Sequence, residues 1–305
     1  MAAPPPPQDN VRVVIRLRPL SEKERERGGV EAVEIRDNRV LIEGKSWFAF
    51  DACYGGGDDA TDAAAAQEAV WRDLAPSLVP SVAEGFNVSL FAYGQTGSGK
   101  SHTMFGRGGA PGVVPRFCDA LFAGLAASAT VTCSVVEIYN EQLRDLLQPP
   151  GTRNPAPLKI RDAPATGPYV AGATVSVAKN ASELARLVRL GARHRTVAAT
   201  AMNEASSRAH TVVTVRVARE TEDRVKLRKT AIVHLVDLAG SERQKRALST
   251  GARLVEATHI NRSLSTLSLV VSALAARDGR HVPYRDAALT HLLRESLGGN
   301  ARTTM

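Results

Sequence analysis

Gly94-Gln-Thr-Gly-Ser-Gly-Lys100-Ser101 fits the pattern G-x-x-x-x-G-K-[ST] and directly follows the apolar run Val88-Ser-Leu-Phe-Ala92. A buried strand feeding a glycine-rich turn lets consecutive backbone N–H groups converge on one point, which suits phosphate oxygens. Gly94, Gln95, Thr96, Gly97, Ser98 and Gly99 form the turn, Lys100 supplies a cation for the β and γ phosphates, and Ser101 offers a hydroxyl to Mg²⁺. A helix opening just after Lys100 adds the positive end of its dipole. The stretch predicts a triphosphate site at the carboxyl end of a central strand.

The rest of the composition narrows the class. At 305 residues with 44% hydrophobic side chains, the chain can bury a sizeable core as one large α/β domain. Lys+Arg 39 against Asp+Glu 31 leaves +8, which suits an acidic partner surface without separating nucleic acid, membrane and acidic protein. Cys53, Cys118 and Cys133 are far apart and show no C-x-x-C spacing, so neither a disulfide framework nor a zinc site is indicated, and a reducing cytosol fits. Residues 1–9 are Ala- and Pro-rich and predict a flexible leader, not a secretory signal. No apolar run reaches the roughly 18 residues of a membrane span.

Along the chain, strand and helix patterns alternate. Val11–Arg18 has period two and predicts one strand. Asp62–Glu84 predicts a helix that Pro76 and Pro80 should kink or shorten. Pro115–Ala127 predicts the next helix, Val131–Tyr139 a central strand, and the proline-rich Leu147–Pro168 a surface excursion. Asn180 and Glu183 mark the start of a helix that should end near Arg193. Thr211–Ala218 and the nearly all-apolar Ile232–Leu238 predict further strands, and Glu256–Ala276 a long helix.

Two more motifs join the phosphate loop. Asn203-Glu-Ala-Ser-Ser-Arg-Ala-His210 collects an amide, two hydroxyls and a guanidinium that can sense a γ phosphate and its metal. Asp237-Leu-Ala-Gly-Ser-Glu242 places an acid at the end of a buried strand, where it can hold Mg²⁺ or its water, and Gly240 can bring its bare N–H to the γ phosphate. In this order the three motifs resemble the motor domain of a kinesin. The likeness extends through Arg16-Leu-Arg-Pro19, Phe91–Gly94, Glu137–Glu141, His259–Leu264, Val282-Pro-Tyr-Arg-Asp286 and Ser296–Asn300, and so from about residue 10 onward. Gly167–Val170, Arg195–Thr200 and Leu292–Glu295 are similar to the third, vesicle-transport family.

The resemblance implies a P-loop ATPase with a central mixed sheet of about eight strands, helices on both faces, and Mg-ATP as substrate. It implies that Arg16, Pro19 and His102 flank the adenine. Ser101 and Ser207 would ligate Mg²⁺, with Asp237 holding it through water. Asn203 and Ser206 would touch the γ phosphate, and Arg208 would pair with Glu242 to close the two switches, alongside Lys100 and Gly240. It further implies a microtubule, not nucleic acid, as the acidic partner, met by Lys245, Arg246, Arg253, Arg262, Arg280, His281, Arg285, His291 and Arg294. Ala209 stands where kinesins usually carry serine, so altered switch ordering is expected. Ala275–Arg280 replaces a lysine-rich loop, and Arg302–Met305 is where the final strand should begin, leaving that strand, the last helix and the neck linker incomplete. A non-motile microtubule-binding module with weak turnover is the alternative.

Overall fold

The computed structural model describes residues 11–55, 63–126, 128–149, 151–152, 157–164, 166–201, 208–220, 228–242, 252–276 and 278–305, and side chains for all of these but 197–201, 220, 228 and 252–261. Two short strands, Val11–Arg12 (β1) and Val14–Arg16 (β2), precede helix Glu22–Glu26 (α1), the strands Val33–Arg36 (β3), Arg39–Ile42 (β4) and Ser46–Ala49 (β5), and strand Ala52–Tyr54 (β6). Helix Ala63–Glu84 (α2) leads into strand Val88–Ala92 (β7), the phosphate loop and helix Lys100–Phe105 (α3). A small ladder, Gly106–Arg107 (β8) with Ala110–Pro111 (β9), precedes helix Val113–Gly124 (α4). Strands Thr130–Tyr139 (β10), Gln142–Asp145 (β11), Lys159–Ala163 (β12), Gly167–Ala171 (β13) and Ser176–Ala178 (β14) follow, then helix Ala181–Ala201 (α5). The last part holds strands His210–Glu220 (β15) and Arg228–Asp237 (β16), helix Ala252–Ala276 (α6), a 3₁₀ turn at Tyr284–Asp286, helices Ala288–Leu292 (α7) and Arg294–Gly298 (α8), and strand Arg302–Thr304 (β17).

Eight of these strands make one mixed sheet in the order β1-β17-β7-β16-β15-β10-β11, with β14 also on β10. The β7–β16 pair is parallel with Ala92 opposite Asp237, so the phosphate loop and the Asp237 segment leave the sheet side by side. That follows from two apolar runs buried on both faces, as parallel central strands require.

Alternation along the strands divides the core. Val213, Val215, Val233 and Leu235 face α2, α4 and α5, which contribute Leu74, Leu78, Phe117, Leu121 and Leu184. Val212, Val236 and Phe91 face the other way onto Leu267 and Val270 of α6 and Leu289, Leu293 and Leu297 of α7 and α8. A one-residue slip in either strand would exchange the two sets, so the register is fixed by burial on both sides.

Several expectations need correction. The single strand over Val11–Arg18 is two: β1 pairs with β17 and β2 with β6, and between them the Val13 N–H turns to the Asp51 carboxylate at 2.7 Å. Pro76 and Pro80 do not shorten α2, which runs unbroken from Ala63 to Glu84. Both prolines are exposed, one helical turn apart, while Val70, Leu74, Leu78 and Val82 bury the opposite stripe. The carbonyls they leave unpaired therefore face water.

The excursion over Leu147–Pro168 contains β12, which pairs with β13 as a hairpin, and α5 continues past Arg193 to Ala201, a stretch without glycine or proline. At its start Asn180 Oδ1 accepts from the Glu183 N–H at 2.9 Å, as expected of a cap. The strand expected to begin at Arg302 is β17, seated between β1 and β7.

Candidate functional site

The phosphate loop takes its shape from backbone that only glycine adopts freely: Gly97 and Gly99 have φ of 80° and 97°, and Gly99 caps α3. Lys100 Nζ donates to the carbonyls of Gly94 and Gln95, each at 2.8 Å. Burial lowers the Lys100 pKa, and the carboxylates of Asp237 and Glu242 pull it back up. Ser101 Oγ lies 2.5 Å from Asp237 Oδ2, which joins the phosphate loop to the end of β16.

Asp237 is fully buried. Its Oδ2 also accepts from Arg195 Nη1 at 2.6 Å, and Arg195 Nη2 reaches the Ala209 carbonyl at 3.4 Å. Its Oδ1 is buried and has no hydrogen-bond partner among the described residues. A hard carboxylate oxygen left open beside the Ser101 hydroxyl fits Mg²⁺, which takes oxygen donors and keeps several of its waters. The cleft in front has a volume of about 530 Å³ and is bounded by Thr96, Lys100, Ser101, Arg107, Arg195 and Leu238, room enough for a nucleotide.

Glu242 lies across the phosphate loop. Its carboxylate accepts from the Thr96 N–H at 2.7 Å and from the Thr96 hydroxyl. Burial works to raise its pKa, but the hydrogen bonds from Thr96 outweigh this and hold it below the usual range. Gly240 fits beneath: a Cβ there would meet Thr96 Oγ1 at 2.3 Å and Glu242 Oε2 at 2.4 Å. In this structure the carboxylate of Glu242, expected from the sequence to pair with Arg208, is engaged by Thr96. Asn203, Ser206 and Ser207 lie outside the described residues.

Arg16 donates to Gln67 Oε1 at 2.7 Å and to Thr103 Oγ1 at 2.9 Å, and Gln67 in turn donates to the His102 carbonyl at 2.7 Å. Arg16 thus braces α3, next to His102, whose pKa is lowered first by burial and then by the charges of Arg16 and Arg107. Pro19 is exposed. Arg195 is a site residue that the sequence motifs do not mark, since it lies on α5 beyond the expected helix end near Arg193. The helix carries it 42 residues along the chain from Asp237 to that carboxylate.

The basic stripe is partly neutralised from within. Asp162 of β12 binds Arg285 at 3.0 Å, His291 at 3.3 Å and Arg294 at 2.9 Å, and Asp278 binds Arg280. Arg262 is exposed on α6, and His281 is exposed beyond it. Lys245 and Arg246, and the side chain of Arg253, lie outside the described residues.

A family model described as the kinesin motor domain matches residues 16–305. Kinesin-related protein 1 of Dictyostelium discoideum is 39% identical over 330 residues, covering 97% of this chain and 15% of that protein. Kinesin-like protein KIF14 of Mus musculus is 40% identical, with 97% and 19% covered, and KIF13B of Homo sapiens 39%, with 97% and 18%. The chain therefore spans less than a fifth of the length of these three relatives. A solved structure of a fast kinesin is 36% identical with a TM-score of 0.85, over 96% of this chain and 83% of that one. A dimer of KIF14 with AMP-PNP, in complex with a microtubule, is 38% identical with a TM-score of 0.83, over 97% and 86%.

Proposed function

This chain belongs to the kinesin motor-domain family, and from that premise we propose that it is a microtubule-stimulated ATPase which couples Mg-ATP hydrolysis to changes in microtubule affinity and so to movement. The observation that carries this is the contact of both ends of the Asp237–Glu242 segment with the phosphate loop, Asp237 through Ser101 and Glu242 through Thr96. A single bound phosphate chain would touch both contacts at once.

The roles follow from the family resemblance together with the contacts of the described residues. The N–H groups of the loop and Lys100 bind the phosphates, and Ser101, Ser207 and Asp237 are the residues to hold Mg²⁺. When bound, the metal neutralises charge on the β and γ phosphates. Arg195 shares Asp237 Oδ2 with Ser101, so it compensates the buried carboxylate and sets its orientation. By resemblance to the family, Asn203 and Ser206, which lie outside the described residues, are assigned to sensing the γ phosphate. For the switches to close, Glu242 must release Thr96 and turn to Arg208, and its ionised carboxylate can then orient the attacking water and take its proton. Positioning and electrostatics of this kind are most of what phosphoryl transfer asks of a protein.

Steady-state phosphate release with and without microtubules tests this. Strong stimulation is expected, and co-sedimentation with no stimulation would instead favour a non-motile binding module. Glu242→Ala should keep nucleotide binding and lose turnover by about 100-fold or more, the scale of removing one group that acts in the transition state. Robust hydrolysis by that variant would remove Glu242 from the mechanism.

A further inference from the structure

His210 opens β15 and is 2% exposed. The Ala239 N–H donates to its Nδ1 at 3.0 Å. An amide N–H only donates, so Nδ1 holds the lone pair and the proton of the neutral ring is on Nε2. Nε2 lies 2.8 Å from Ser263 Oγ and is therefore the donor to that hydroxyl. Burial, with Arg195 and Lys100 nearby, holds the ring's pKa down to about 3, so it stays neutral and keeps both bonds at any working pH.

The two partners belong to different elements. Ala239 sits between Asp237 and Gly240 in the segment that lies on the phosphate loop, whereas Ser263 is on α6, the helix that carries the exposed Arg262. Apolar contacts also join them, Leu238 and Val236 with Leu267 and Val270, but such contacts have little directional preference. The imidazole is rigid and buried, and losing either bond would leave a polar atom unpaired in the core, so the ring follows its partners.

We propose that His210 is a positioning residue that ties the Asp237–Glu242 segment to α6 and passes displacement of that segment, when nucleotide binds, to the helix. This rests on the ATPase motor role proposed above. Both ring nitrogens are taken, by Ala239 and Ser263, and the ring does not bound the nucleotide cleft. Its contribution lies in the coupling between the nucleotide site and the track-facing helix, which for allosteric pairs is typically 5- to 150-fold, about 1–3 kcal/mol.

Two substitutions isolate the link. In His210→Asn the side-chain oxygen reaches where Nδ1 stands, so the Ala239 bond is kept and the Ser263 bond lost; Ser263→Ala removes the same bond from the other side. Both should bind a fluorescent ADP analogue within about 2-fold of the unsubstituted protein, yet lose about 10-fold in microtubule-stimulated turnover. In hydrogen exchange, Mg-ATPγS should still protect residues 94–101 but no longer change protection over 262–276. The double variant should be no worse than either single one, because both cut one link. The proposal is overturned if the variants respond like the unsubstituted protein in hydrogen exchange. It is equally overturned if nucleotide affinity falls in step with turnover, since the ring would then merely hold the pocket. If the unsubstituted protein shows no microtubule stimulation, the motor role fails instead, and the exchange comparison still decides the coupling.

Discussion

At the scale of single residues, Gly240 is a tightly confined position of the site. Any side chain there meets Thr96 Oγ1 and both Glu242 oxygens within 2.6 Å, so Gly240→Ala must push Glu242 off the loop or move the Asp237–Glu242 segment. Turnover should fall by about 100-fold with nucleotide affinity nearly kept, the split expected when only transition-state interactions are lost. Comparing kcat with KM measures it. Arg195 is the partner of a fully buried carboxylate and only 12% exposed itself. Arg195→Ala leaves Asp237 without its counter-ion, and stability without nucleotide should drop by about 3–5 kcal/mol in urea unfolding, with Lys a poor substitute. The phosphate loop was legible because its chemistry is consecutive in sequence. Arg195 was not, because nothing local marks a helical arginine as the partner of an aspartate 42 residues away.

At the scale of elements, strands and helices are legible in the sequence where burial sets the period, as in β15, β16 and α6. Proline marks a break in a sequence pattern, yet Pro76 and Pro80 face water within an unbroken α2, and the proline-rich excursion contains β12, which pairs with β13. Each proline still forfeits one helical hydrogen bond. Pro80→Ala should therefore raise stability, by up to about 3 kcal/mol if the freed bond forms fully, read as a higher urea midpoint at unchanged slope. The hairpin packs Ile160 and Val170 against the core beside α7 and α8, and Asp162 adds contacts with Arg285, His291 and Arg294. Hydrogen bonding to His291 leads in lowering the Asp162 pKa, burial opposes it, and Arg285 and Arg294 add to the lowering. In Asp162→Asn, Arg285 and His291 lose this anionic partner, while Arg294 keeps Glu295 at 3.1 Å. The melting temperature should fall by a few degrees at most in low salt, with the gap closing as salt rises, because exposed pairs contribute little and are screened.

At the scale of the whole molecule, the sheet's buried groups fix the pH range in which the fold persists. His210 and His234 are held down to about 3 and about 4, first by burial. Unfolded, each takes a proton near pH 6.5, so below that pH the unfolded chain binds more protons than the fold, and stability falls as pH falls. The loss approaches about 1.4 kcal/mol per pH unit for each ring down to its folded pKa. Glu137 acts the other way, since burial raises its pKa and it is stabilised by acid, but it is one group against two. On the alkaline side Cys118 and Cys133 are both pushed up to about 12, again first by burial, from an ordinary value of 9.0. The unfolded thiols ionise first, the fold then binds more protons, and stability falls as pH rises above about 9. A plateau between about pH 6.5 and 8.5 is therefore expected, with both limbs set by core residues and little dependence on salt. Urea midpoints at pH 5, 7.5 and 10 would show it. His234→Gln should halve the acid limb while keeping a hydrogen-bonding group near Ser296, which His234 Nδ1 meets at 2.9 Å, and Cys133→Ala should flatten the alkaline one. If instead both limbs are unchanged in these variants and collapse in high salt, surface charge governs the range and the buried groups do not.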